Sequence, residues 1–171
     1  MGFIKKIDIF ITREISKAPN ITAMKSVFEP STRQELINRI ASLSPRHTAQ
    51  WGKMNGFQMV KHCILCEEMM HGKIKIKRVL PGRLFGKMIL KKVLKDDKPF
   101  GKNSPTSPVL KTTHESGDIE LEKKEWIKRI EEYGNFQNSD FIHPFFGPMT
   151  KEQIGFFAYK HSDHHLRQFG A

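Results

Sequence analysis

Apolar residues recur at helical spacing in four stretches of the chain, and turn formers separate the stretches. Between Thr32 and Leu43, residues Leu36, Ile37 and Ile40 share one face; Pro30 and Ser31 lead into the run, and Ser44 and Pro45 end it. In WGKMNGFQMVKHCILCEEMMHG, Phe57, Met59, Val60, Ile64, Leu65 and Met69 give a second helix its apolar contacts, with Asn55 as cap and Gly72 as stop. A third run, from about Ile119 to Tyr133, turns Leu121, Trp126, Ile127 and Ile130 inward. The fourth starts after Pro148, where Thr150 and Gln153 match a capping box, and carries Ile154, Phe157 and Ala158. Four amphipathic helices, and no run of alternating strands, predict an all-α four-helix bundle.

Between the second and third of these helices lies an insertion with a different composition. Residues 72 to 115 hold twelve Lys/Arg against Asp96, Asp97 and Glu115, so this segment carries +9 of the chain's net +11. Within it, Leu84, Phe85, Met88, Ile89 and Val93 fall largely opposite Lys87, Lys91, Lys92 and Lys95. That pattern predicts a short helix that docks its apolar face on the bundle and leaves its lysines to solvent or to an anionic ligand. The following KPFGKNSPTSPVLKTTHESGD is too rich in turn formers for helix.

The length of 171 residues and 38% hydrophobic content suit one domain, read here as residues 24–171 behind an N-terminal extension at 1–23. Met24 is a candidate start, and Gly2 lacks the Ser or Thr that myristoylation requires. Two cysteines cannot make a disulfide framework. Lys5, Lys6, Asp8, Arg13 and Glu14 break any secretory apolar run, and no stretch approaches a membrane span of about 18 apolar residues. The expected compartment is the cytoplasm.

The candidate chemistry sits in the last eleven residues, HSDHHLRQFGA. Residues four apart on a helix project from one face, so His161 and His165 can aim two imidazoles at one point; His164, three residues from His161, is an alternative partner. His62, on the second helix, is the best third donor, and Gln58 and Cys66 lie one turn to either side of it as candidate pocket residues. Three imidazoles with open coordination positions suit a divalent transition metal, zinc or nickel first among Zn, Ni, Cu and Fe, over Mg or Ca. Other signals are weaker. Cys63 and Cys66 form a CxxC inside a helix, without the strand-to-helix setting of a redox motif. His143 precedes a proline and reads as a loop anchor; His47, His71 and His114 read as hydrogen-bonded structural histidines. Ser162 and Asp163, as helix neighbours of the histidines, do not form a triad.

The order Trp51, Gln58, His62, then HPFFGPMT at 143–150, then YKHSDHHLRQFG at 159–170, resembles the DinB-like superfamily over about residues 24–171, in a branch marked by that last motif. The resemblance implies a four-helix bundle whose divalent metal is held by His62, His161 and His165, and either metal-dependent hydrolysis or thiol S-transfer on a small, anionic molecule. The alternative is a non-catalytic metal-binding or stress-related scaffold, dimeric and docked to an acidic partner through the basic insertion. Nucleic acid ranks last as a partner, since only Phe85 and Phe100 are interleaved with the insertion's lysines.

Overall fold

A computed structural model describes residues 24–171; the expectations for the N-terminal extension and for Met24 as a start concern residues 1–23, outside this range. Five α-helices run in the order α1 (Pro30–Ser42), α2 (Gly56–Met70), α3 (Leu80–Val93), α4 (Ile119–Glu131) and α5 (Lys151–Gln168). Two strands, β1 (Ile142–His143) and β2 (Gly147–Pro148), pair antiparallel as a minute hairpin before α5. The protein is all-α, as the periodicity predicts, and four of its helices form the bundle.

The helix ends follow from local chemistry. The Asn55 side chain accepts from the Gln58 backbone N–H at 2.9 Å, while the Gln58 side chain accepts from the Asn55 N–H, a reciprocal cap at the start of α2. Thr150 and Gln153 repeat the device at α5. Asp118 caps α4 through the Leu121 N–H, and a proline opens α1.

In the bundle, α1 packs on α4 and α5, and so does α2. The helices therefore run around the core in the order α1, α4, α2, α5, and α2 lies against α5 along the faces that carry the histidines. Leu36, Ile40, Met59, Val60, Trp126, Ile130, Ile154 and Leu166 are fully buried between them. Leu121 is not: it is 62% exposed, because the inward face of α4 is set by Lys123, Trp126 and Ile130. Buried Lys123 reaches back to α1, donating to the Leu43 carbonyl at 2.6 Å. A buried polar knot joins three elements: Glu67 of α2 accepts from the Tyr133 hydroxyl at 2.5 Å and from the Ser162 hydroxyl of α5 at 3.0 Å.

The basic insertion departs from its expected packing. Helix α3 lies outside the four-helix ring, against the 141–148 hairpin, and the face it buries is Gly82, Gly86 and Leu90. A side chain at Gly82 or Gly86 would collide with the Phe145 carbonyl, so glycine is what lets this helix approach so closely. Leu84, Phe85 and Met88, expected to dock, instead face solvent at 70%, 51% and 65% exposure. Lys160 of α5 fastens the far end of α3, donating to the carbonyls of Val93 and Asp96 at 2.6 Å each.

Candidate metal centre

His62 on α2 and His161 and His165 on α5 converge in the bundle interior. Ring centroids lie 4.8 Å apart for His62–His165 and for His161–His165, and 5.2 Å apart for His62–His161. All three are at most 9% exposed. The Nε2 atoms of His62 and His161 face each other at 3.3 Å. Two ligands of a tetrahedral ion with bonds of about 2.0–2.1 Å are separated by about 3.3–3.4 Å, so this spacing is already that of a ligand pair.

Outer partners orient the rings. Nδ1 of His62 lies 2.7 Å from the Leu110 carbonyl; since a carbonyl only accepts, Nδ1 carries the proton and Nε2 keeps its lone pair for the site. Nδ1 of His165 faces Oε1 of Gln168 at 2.9 Å, and the Gln168 amide N–H donates to the Trp51 carbonyl at 2.6 Å, which fixes the amide and leaves Nε2 of His165 unprotonated. His161 has no such support: its Nδ1 is buried without a partner. Asp163, beside the cluster, is engaged elsewhere, accepting from Arg39 and Arg167 at 2.7 Å each.

Burial holds the imidazoles neutral. Desolvation and the neighbouring rings of His165 and His62 push His161 well below its ordinary value; desolvation and then His62 bring His165 down to about 3; desolvation lowers His62, with Lys111 adding to it. Among the described residues none of the three rings is paired with a carboxylate. The cluster is a set of neutral nitrogen donors, the state a transition metal requires of histidine.

A cysteine sulfur stands in place of one imidazole in each tightly spaced set of donors, and neither set holds all three histidines. Donor atoms lying within 4.8 Å of one another form two overlapping sets, His62 with Cys66 and His161, and Cys63 with His161 and His165. The Cys66 thiol is 3.7 Å from Nε2 of His62, and both cysteines are free and buried. Burial raises both thiols well above their ordinary values, so each stays protonated unless a cation binds beside it.

Cys66 lies beside His62, one turn along α2, while the Gln58 amide is taken up by the cap of α2. His164 turns toward Trp51, with centroids 5.6 Å apart, and toward Phe100 at 5.8 Å. His143 anchors the hairpin: its Nδ1 accepts from the N–H groups of Phe145 and Phe146, and burial lowers it to about 4. Of the remaining histidines, His47 bonds within its turn to Ser44, and His71 bonds the Arg129 carbonyl.

Sequence reasoning gives Cys63, Gln168, Phe100 and Leu110 no role at this site. Gln168 could be found as the residue one turn beyond His165. Leu110 contributes a backbone oxygen from a short 3-10 turn (Pro108–Leu110) within a turn-rich connector, and no side-chain pattern marks it. The cations placed near the site are also not those of α3. They include Lys102, 4.5 Å above the Trp51 ring, Lys160, 5.8 Å from the Phe100 ring, and Lys111, whose charge helps to lower His62. Lys87 and Lys91 border a separate surface groove of about 480 Å³ with Glu152, Gln153 and Phe156.

A bundle of four helices, with two facing helices supplying an HxxxH pair and a third histidine, defines a class of helical protein with a candidate metal centre. The chain belongs to the family described as Protein of unknown function (DUF1569), a DinB-like family whose profile matches residues 23–171. Comparison with curated proteins and with solved structures finds no match.

Proposed function

We propose that this protein is a divalent-metal protein in which His62, His161 and His165 hold zinc or nickel, with Cys66 beside them, and that the centre acts on a small anionic molecule by hydrolysis or thiol transfer. One observation carries the reading: three neutral imidazoles from two helices, two of them oriented by outer partners, cluster in the interior without a carboxylate partner. The 3.3 Å pair of Nε2 atoms fits the same donor set.

When bound, the metal would supply Lewis acidity, lowering the pKa of a coordinated water or thiol toward neutrality. The chain's own residues account for the rest. Leu110 and Gln168 hold two rings in one tautomer and one orientation. Phe100, Trp51 and the ring of His164 exclude water, so charges at the site are less screened. Lys102 and Lys111 offer positive charge where an anionic substrate would approach. The cytoplasm is the compartment this reading favours.

A second reading, a non-catalytic metal scaffold, draws on the low exposure of all four clustered histidines. Cobalt substitution separates the two. In the catalytic reading azide shifts the visible spectrum of the cobalt protein; in the scaffold reading the spectrum is unchanged at saturating azide.

A further inference from the structure

Helix α3 presents to solvent a surface that the metal site does not use. Its inward side is glycine and Leu90; its outward side is Leu80, Leu84, Phe85 and Met88, with Val79 just before it. Five of the eight large hydrophobic residues that are exposed among the described residues fall in these ten positions. Each stands one turn or less from the next, so together they form one ridge. Around it stand Arg83, Lys87, Lys91 and Lys92, all exposed and, among the described residues, without an ion pair. Residues 73–98 contain ten Lys/Arg and only Asp96 and Asp97 as acids.

We propose that this face of α3 docks on the surface of an anionic lipid bilayer. The proposal is independent of the metal reading. The ridge matches the acyl boundary below the headgroups, and long lysine side chains flanking it reach lipid phosphates while their stems stay against the apolar layer. An acidic protein would satisfy the lysines but leave the ridge without a matched surface. A second copy of the chain would bring the same positive charge against itself, so charge complementarity selects an anionic partner. The seating of α3 suits a docking element: its glycine face locks it to the Phe145 backbone, and Lys160 pins its last turn, so the outward ridge is rigid before contact. The docking proposed is lateral, with α3 lying in the plane of the interface.

The test is co-sedimentation of the full chain with vesicles of phosphatidylcholine containing about 30% phosphatidylglycerol, against vesicles of phosphatidylcholine alone. Binding is expected to the anionic vesicles only and to weaken at ~0.5 M salt. Two triple variants, Lys87→Glu/Lys91→Glu/Lys92→Glu and Leu84→Ser/Phe85→Ser/Met88→Ser, should each weaken it about tenfold or more while helical circular dichroism and metal content stay unchanged. A Phe85→Trp reporter, which removes no apolar surface, should gain a blue-shifted emission component on adding the anionic vesicles. Absence of vesicle binding, binding unaffected by both triple variants, or a reporter that does not shift would overturn the proposal. So would concentration-dependent self-association abolished by the serine variant, which would assign the ridge to a second copy.

Discussion

Nitrogen atoms decide what the centre can do. His62 and His165 each spend one ring nitrogen on an outer acceptor and keep the other for the site, while His161 spends neither on such a partner. Their titration gives a direct check on the metal-free protein. The unfolded chain takes up protons on histidine near pH 6.5, whereas folded His165 waits until about 3 and His143 until about 4, and His62 and His161 are also lowered. As pH falls below 6.5 the unfolded state therefore binds more protons and stability drops, by about 1.4 kcal/mol for each unit separating the two pKa values. Glu67 acts in the opposite sense: desolvation raises it to about 7, so the folded state keeps a proton that the unfolded chain releases near 4.5, and that contribution fades as pH rises toward 7. Four histidines outweigh one glutamate between pH 4.5 and 6.5. Urea midpoints of the metal-free protein should be lower at pH 5 than at pH 7; a midpoint independent of pH would mean that the rings are not held neutral by burial.

Elements were legible wherever a side-chain pattern defines them. The four bundle helices, the Asn55 cap, the capping box at Thr150 and the shared face of His161 and His165 follow from apolar period, cap residues and i, i+4 spacing. The face of α3 did not follow, since hydrophobic periodicity gives no weight to glycine, and here Gly82 and Gly86, one turn apart, make the close contact beside Leu90 while Leu80, Leu84 and Phe85 remain outside. Leu121 misleads for a related reason: Trp126 and Ile130 fix the rotation of α4, and a residue five positions before Trp126 points well away from that face. Leu110 lay beyond reach because its contribution is a main-chain carbonyl placed by a connector with no period of its own. The glycine account has a measurable consequence. In an exposed helix Gly→Ala stabilises by about 0.5–1 kcal/mol. Gly82→Ala and Gly86→Ala should instead each cost about 1–3 kcal/mol, because the added methyl meets rigid backbone at Phe145, and a thermal melt reads the sign.

At the scale of the whole molecule, core and surface charge are separated. The bundle is held by Leu36, Ile40, Met59, Trp126 and their neighbours and by the Glu67–Tyr133–Ser162 knot, while most of the positive excess lies on the segment outside the helical ring. Because the knot ties α2 and α5 to the turn after α4, Tyr133→Phe should lower stability by about 1–3 kcal/mol in denaturant titration, the cost of a buried acceptor losing its donor, without removing the metal. The metal centre should in turn be separable from the fold, since the core extends well beyond the three rings. The most direct measurement is therefore bound metal in protein purified without an affinity tag, for the native chain and for His62→Ala, His161→Ala, His164→Ala and His165→Ala, with circular dichroism alongside. The account expects about one zinc or nickel per native chain, loss of it in the His62, His161 and His165 variants with helical content retained, and its retention in the His164 variant. Native protein that binds no divalent metal, or metal lost with His164→Ala and kept with His165→Ala, would contradict it.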